Sequence, residues 1–198
     1  NQLRRGDLDP DAHHALFLGR SWGNLNDDDL AIIEAYVRGG GGIVTEFDGI
    51  VPFFSSHHET SRFQRAAQLG WFEGAVGSGR QLGRGTPIDV IDASSSVVEG
   101  LPSPFASESG TQYFMTLYTA DPRLRTVATF HGNGSRDFPD QDFPAIVLAR
   151  FCDAPLVFLT FDWQDAPNEE TIARLVVNAA RIATGPPDPT LRAHCPNP

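Results

Sequence analysis

Residues 15–49 decide the fold, and they read ALFLGRSWGNLNDDDLAIIEAYVRGGGGIVTEFDG. The short apolar run Ala15–Gly19 predicts a buried parallel strand. Asn26 or Asp27 is predicted to cap a helix, because apolar residues then recur at helical spacing, and Gly39–Gly42 are predicted to end it. Ile43–Phe47 is the next predicted strand. This strand, helix, strand order is typical of a parallel α/β sheet.

Both predicted strands end at segments that could form a site. Ligands of open α/β sheets bind where loops leave the carboxyl ends of the strands. The segments Arg20–Asn26 and Glu46–Gly49 are therefore expected to flank any binding or catalytic site. No complete catalytic motif accompanies them in the sequence.

Composition narrows the class of protein. The chain has 198 residues, 40% of them hydrophobic, which suits one sizeable core. We expect a single domain over residues 1–184 and a Pro-rich tail or linker over residues 185–198. The net charge of -10 disfavours a nucleic-acid partner, and the sequence has no apolar run long enough to predict a membrane span.

The second half of the chain predicts strands rather than helices. The last two predicted strands are joined by a Cys-Asp-Ala-Pro turn and should form a hairpin. A final helix is expected over about 168–183, so the sheet should be mixed, with antiparallel strands at one side. Residues 1–14 are too few and too polar to supply the strand and helix that usually come first, so a first βα unit is expected to be missing. The five predicted strands are Pro87–Ile91, Gln112–Thr119, Thr126–His131, Ala145–Phe151 and Leu156–Trp163.

Other segments predict less regular structure. Residues 48–59 are expected to form a loop, Thr60–Leu69 a helix, and the glycine-rich stretch Gly70–Gly85 an irregular segment. Several aromatic residues fall in these apparent loops, where they either fold back over the sheet or form an exposed patch for a partner. They are Phe53, Phe54, Trp71, Phe72 and Phe138.

The chain has two cysteines, Cys152 and Cys195. They are compatible with one disulfide that ties the tail to the body, or with two independent thiols. Together with the Pro-rich tail they favour an extracellular or periplasmic protein with further domains.

Five segments follow one another in the chain: LAIIEAYVRGGGGIV, SSSVVEGLPSPF followed by Tyr113, TVATF, FPAIVLARF and LVFLTFDW. In this order they resemble the class I glutamine amidotransferase-like superfamily, and within it the ThuA-like branch. The similarity covers most of residues 15–184 and implies a flavodoxin-like or Rossmann-like mixed sheet flanked by helices.

The resemblance also implies which chemistry is missing. The family's nucleophilic cysteine would stand in the turn occupied here by Glu46, Phe47 and Asp48. Its partner histidine would fall at the end of LVFLTFDW, where this chain has Asp162 and Trp163. Covalent glutamine hydrolysis is therefore not expected.

The resemblance further assigns a ligand-lining role to the loop after the first strand. In the amidotransferases this loop supplies backbone donors, so Arg20, Trp22 and Asn24 are candidates to line a pocket together with Glu46. Trp22 would offer a stacking surface for a sugar or another planar ligand.

Strand-end carboxylates are the candidate catalytic groups. Glu46, Asp48 and Asp162, with Asp165 nearby, would bind a hard cation or perform acid/base chemistry if they converge. In the alternative, Asp48 forms a turn, Asp162 caps the last helix, and only Glu46 is directed inward.

Histidines offer a second candidate site. His57 and His58 follow the Glu46 strand, and imidazole beside a carboxylate such as Asp48 is a familiar metal combination. The alternative, which we favour, is that the two histidines are solvated loop residues ahead of a helix. A divalent metal is the one cofactor that the sequence suggests.

Three functions remain open. The first is a non-catalytic amidotransferase-like domain used for binding or assembly within a larger secreted protein. The second is a carbohydrate-related hydrolase or metal enzyme that uses the strand-end carboxylates. The third is a structural subunit that assembles with copies of itself through its aromatic loops.

Overall fold

The computed structural model describes residues 8–11, 14–19, 25–57, 69–82, 85–106, 113–163 and 170–195. Its helices are α1 (Asp27–Arg38) and α2 (Glu170–Thr184), with 3₁₀ segments at Phe47–Phe53 and Ser96–Val98. Within these ranges no helix is both long and apolar enough to cross a membrane. The strands are β1 (Ala15–Leu18), β2 (Gly42–Glu46), β3 (Phe54–His57), β4 (Phe72–Gln81), β5 (Ile88–Val90), β6 (Tyr113–Tyr118), β7 (Arg125–His131), β8 (Asp142–Phe151), β9 (Ala154–Leu159) and β10 (Ala193–His194).

Seven strands form the main sheet. Six follow the order β1-β2-β9-β8-β7-β5, and β10 pairs with β8. β1, β2 and β9 run parallel to one another, whereas the neighbours β9-β8, β8-β7 and β7-β5 are antiparallel. The predicted mixed α/β sheet, with antiparallel strands at one side, is thus confirmed. The predicted hairpin is confirmed as β8 and β9, which are joined at Cys152 and Asp153.

Helix α1 forms where the sequence predicts it. The Asn26 side chain accepts a hydrogen bond from the Asp29 N–H at 2.9 Å, and the Asn26 N–H donates to the Asp29 carboxylate at 3.0 Å. This reciprocal capping box satisfies two N–H groups that the first turn leaves without partners. The glycine run that follows allows close approach, since a Cβ on Gly42 would lie 1.9 Å from the Ala183 carbonyl oxygen.

The sheet separates two apolar clusters. On one face, Ile33 and Val37 of α1 pack with Ile43 and Phe158 of the sheet. The other face carries Val44, Val157 and Leu159, and three residues of α2 cover it. The two helices therefore lie on opposite faces of the sheet, as the doubly wound pattern requires. The three residues of α2 are Ile172, Leu175 and Ala179.

A second, three-stranded sheet has the order β3-β4-β6. The sequence prediction was wrong here: residues 48–59 contain a 3₁₀ helix and β3, and the glycine-rich segment contains the ten-residue strand β4. Its glycines permit close packing, because a Cβ on Gly77 would lie 2.0 Å from Oγ1 of Thr116 on β6. Most of the helix predicted over Thr60–Leu69 lies outside the described residues.

The aromatic residues predicted in loops are buried, so they form no exposed patch. Trp71 stacks on Phe151 with ring centroids 4.1 Å apart, and Phe53 contacts both Trp71 and Phe158. They fold over the sheet because Phe53 ends the 3₁₀ helix and Trp71 directly precedes β4. The buried set is Phe53, Phe54, Trp71, Phe72 and Phe138.

The segment after Gly185 packs back onto the body through residue 195. The Cys152 N–H donates to the His194 carbonyl at 2.8 Å, and Cys152 and Cys195 are joined in a disulfide. Asp188 pairs with Arg125 at the start of β7. These contacts make residues 185–195 part of the folded unit.

Asp121 lies where the two sheets and the tail meet. Its carboxylate accepts hydrogen bonds from the Glu73 N–H at 2.9 Å and from the Arg123 N–H and side chain. Arg123 also bonds the ring of His194 and lies over the Phe72 ring, 5.5 Å from its centroid. Burial alone would raise the pKa of Asp121, but the bonds from Arg123 and the backbone outweigh it and lower that pKa to about 2.

The disulfide should stabilise the fold through its effect on the unfolded chain. The cysteines are 43 residues apart, and loop-closure entropy for such a loop corresponds to about 4 kcal/mol. The double variant Cys152→Ala, Cys195→Ala should therefore lose up to ~4 kcal/mol of unfolding free energy in urea titrations.

Dithiothreitol should reproduce this loss in the wild type and leave the double variant unchanged. Equal urea midpoints for the oxidised wild type and the double variant would contradict the assignment.

Asp121 should make the protein sensitive to acid. Its folded pKa of about 2 lies below the unfolded value of about 3.9, so its stabilisation is present above about pH 4 and is lost as the pH falls towards 2. The loss should total about 2 kcal/mol in urea titrations at successive pH values.

The Asp121→Asn variant should have a lower free energy of unfolding at neutral pH than the parent. It should also lack the decrease in that free energy which protonation of Asp121 causes in acid. Asp153→Asn is the control, because the Asp153 side chain is 82% exposed in its ion pair with Arg150. A parent and an Asp121→Asn variant with identical pH dependence would rule out this role.

Candidate functional site

The ends of β2 and β9 lie side by side. Glu46, the last residue of β2, pairs with Leu159, the last residue of β9. Beyond them the Phe47 N–H donates to the Phe161 carbonyl at 3.3 Å, and the Asp162 N–H donates to the Tyr113 carbonyl of β6 at 2.9 Å. The chain segments that carry the candidate acids are thus held together by backbone hydrogen bonds.

A sharp turn follows β2. Phe47 has φ 47°, in the left-handed region that residues with a side chain seldom occupy. Gly49 passes so close to β1 that a Cβ on it would lie 2.3 Å from the Leu18 carbonyl oxygen. The Phe47 ring meets the Tyr113 ring edge to face, with centroids 5.8 Å apart. This turn is the one at which the sequence resemblance implies a nucleophile, and here Glu46, Phe47 and Asp48 occupy it.

Three carboxylates at these strand ends are almost wholly buried. Glu46 is 1% exposed, Asp48 is 3% exposed and Asp162 is 2% exposed. The prediction that only Glu46 is directed inward is therefore wrong. The reason is that Asp48 lies in a buried 3₁₀ helix and Asp162 is anchored to β6, so neither is a solvated turn residue. Acids at such depth are uncommon outside sites that use them.

Two aromatic residues lie on the same face of the sheet as Glu46. Val44 and Leu159 belong to the apolar cluster beside α2, and because side chains alternate along a strand, Glu46 shares the face of Val44. Phe17 pairs with Val44 in register, and Trp163 packs against the same cluster. The Phe17 and Trp163 rings meet edge to face, with centroids 6.4 Å apart.

Sequence reasoning did not place Phe17, Trp163 and Tyr113 near these strand ends. Phe17 belongs to an apolar run that predicts a buried strand, yet it is 42% exposed because β1 has a partner strand on one edge only within the described residues. Trp163 carried a usable signal, since it directly follows Asp162 at a strand end. Tyr113 carried none, because its place depends on the pairing of β6.

The structure does not describe the other candidates. Arg20, Trp22, Asn24, His58 and Asp165 lie outside the described residues, and of His57 only the backbone at the end of β3 is described. In the part of the chain that is described, no three His, Cys, Asp or Glu side chains are grouped so that they could hold a metal ion.

A cavity of about 370 Å³ lies at the opposite edge of the sheet, away from these acids. Arg125 at its wall is bound to Asp92 at 2.7 Å and to Asp188 at 3.2 Å. A hydrogen bond from the Ser94 side chain and, after it, one from Arg125 hold the pKa of Asp92 below its usual range. Arg125 therefore fixes the tail against the body.

Comparison with known proteins gives a fold. No protein-family model and no curated protein matches the chain. A ThuA-like protein from Bacteroides uniformis aligns with a TM-score of 0.58 and 15% identity over 86% of this chain and 69% of its own. A ThuA-like protein from Parabacteroides merdae aligns with a TM-score of 0.58 and 14% identity over 93% of this chain and 77% of its own.

A third structure, that of Agd3, a carbohydrate deacetylase, aligns with a TM-score of 0.51 and 13% identity. The match covers 86% of this chain but 24% of Agd3. Identities this low show the fold alone. The chain therefore has the mixed α/β fold that the ThuA-like structures share.

Proposed function

We propose that this chain is a ligand-binding domain of amidotransferase-like fold, which takes a polyhydroxylated, sugar-like ligand at the ends of β2 and β9. The supporting observation is the burial of Glu46, Asp48 and Asp162 beside the left-handed turn at Phe47. In this proposal the carboxylates are the acceptors for ligand hydroxyl groups.

The charge of the site supports an uncharged ligand. A carboxylate has several lone pairs and accepts more than one hydrogen bond, so each of these side chains can take a bond from a sugar hydroxyl. A phosphate or carboxylate ligand would instead be repelled by them. The net charge of the whole chain, -10, also disfavours an anionic ligand.

Binding is favoured over the family's covalent chemistry because the residues for that chemistry are absent. The sharp turn carries Phe47, and both cysteines of the chain are joined in the disulfide. No thiol is left to attack an amide.

The disulfide also supports a location in an oxidising compartment, extracellular or periplasmic. We place the domain within a larger secreted protein, whose other domains or further copies of this chain are its partners. Assembly through the aromatic loops is not part of this proposal, because those rings are buried.

A second candidate function is acid/base catalysis on a carbohydrate, with or without a divalent metal. Two observations favour it: several carboxylates at neighbouring strand ends could act as general acid and base, and a carbohydrate deacetylase shares the fold. His57, His58 and Asp48 remain the candidate metal ligands.

Ligand binding should raise the melting temperature. A panel of mono- and disaccharides and divalent cations is tested by thermal shift, because a ligand that binds only the folded state at 100 times its Kd adds about 2.7 kcal/mol. Glu46→Gln and Asp162→Asn keep side-chain volume but remove charge, so we expect at least a tenfold weaker Kd in calorimetry.

Asp153→Asn is the matched control, since the Asp153 side chain is 82% exposed and lies in the β8–β9 turn, at the opposite end of β9 from Leu159. Binding that is unchanged in Glu46→Gln and Asp162→Asn would overturn the proposal.

If the second candidate function is right and the protein removes acetyl groups from carbohydrates, it should release acetate. Purified protein is incubated with N-acetylated and O-acetylated oligosaccharides, with and without added Zn²⁺ or Mg²⁺, and released acetate is measured. If the carboxylates are the acid and base, Glu46→Gln should lower the rate by 100-fold or more. Acetate release equal to that of the buffer blank, in every metal condition, would reject deacetylation and leave the binding role in place.

A further inference from the structure

We propose that Phe17 and Trp163 form an aromatic shelf, in which one of the two nearly perpendicular rings stacks against the apolar C–H face of a pyranose ring and the other lines its edge. The shelf would so select cyclic sugars over open-chain polyols. This inference rests on the proposed function, whose ligand it specifies. In this inference Phe17 and Trp163 recognise the sugar ring, while the neighbouring Glu46 and Asp162 accept hydrogen bonds from its hydroxyl groups.

Exposure of Phe17 is the first observation. It is 42% exposed, although it belongs to an apolar strand of the main sheet. Within the described residues two other large apolar side chains are exposed, Ile91 and Val177, and neither lies at the carboxyl ends of β2 and β9. An exposed aromatic ring beside buried acids is typical of sites that bind amphipathic ligands.

The second observation is the position of Trp163. It is half-buried, directly follows Asp162, and meets Phe17 edge to face with an interplanar angle of 76°. Its indole Nε1 is buried and has no hydrogen-bond acceptor among the residues that the structure describes. Buried donors are nearly always satisfied, so an N–H without an acceptor is available to a ligand oxygen or an ordered water.

Together these groups match the two chemistries of a sugar ring. One face of a pyranose presents C–H groups, which pack favourably against an aromatic ring, and its hydroxyls donate to carboxylates. Glu46 lies on the same face of the sheet as Phe17, and Asp162 adjoins Trp163 in the chain. An open-chain polyol offers the same hydroxyls but no rigid C–H face, so the shelf distinguishes the two.

Binding of methyl pyranosides and disaccharides is measured by calorimetry for the wild type and for Phe17→Ala, Trp163→Ala and Trp163→Phe. We expect at least tenfold weaker pyranoside binding in Phe17→Ala and Trp163→Ala. Trp163→Phe keeps a ring but loses the N–H, so its affinity for pyranosides should lie between that of the two alanine variants and that of the wild type. Ile91→Ala, which truncates a still more exposed apolar residue elsewhere, should bind like the wild type.

Two further ligands are measured for comparison: sorbitol, an open-chain polyol, and tetramethylammonium, an organic cation. The melting temperature of each variant shows whether it is folded. Pyranoside binding that Glu46→Gln weakens but Phe17→Ala and Trp163→Ala leave unchanged would overturn the shelf and spare the proposed function. Sorbitol binding as tight as pyranoside binding would also overturn the shelf. Tighter binding of tetramethylammonium than of the pyranosides would also overturn the proposal, because Phe17 and Trp163 would then bind an organic cation. Absence of binding to every saccharide would overturn both proposals.

Discussion

The parallel ladder between β2 and β9 is the constraint on which the rest of the structure depends. It runs from Ile43 paired with Leu156 to Glu46 paired with Leu159, and it joins the N-terminal βα unit to the C-terminal hairpin. Side chains alternate along a strand, so a slip of one residue would move Glu46 to the face of α1 and exchange the two apolar clusters. The same register therefore fixes both the core and the position of the acids.

The buried acids and the strained turn at Phe47 keep their conformation only if the residues around them are rigidly packed. A left-handed residue with a side chain costs about 1–2 kcal/mol, and such strain persists where neighbouring contacts over-determine the backbone. Here the Phe47 N–H is bonded to Phe161, and the close approach of Gly49 to Leu18 leaves no room for another path. The buried aromatic layer and the disulfide-linked tail supply the stability that offsets this cost.

Local signals in the sequence predicted local structure well. The periodicity and capping residues of α1, and the turn at Cys152, depend on neighbours in sequence, so those elements were predicted near their observed bounds. β4 could not be predicted, because its glycines signal close approach to β6, a contact that exists only in three dimensions. The acids could be located at strand ends, but their burial depends on β6 and β9. Phe17 was misassigned because the edge position of β1 is a property of the whole sheet.

The turn at Phe47 is built without any nucleophile. Its backbone conformation follows from sheet register, one hydrogen bond to Phe161 and the missing side chain at Gly49, none of which requires a cysteine. The fold can therefore keep the shape of such a turn while its side chains change chemistry. In this chain the positions on either side of Phe47 carry carboxylates, and the neighbouring strand end adds Asp162. This edge of the sheet therefore carries buried carboxylates, and the backbone that holds them does not depend on which side chains stand there.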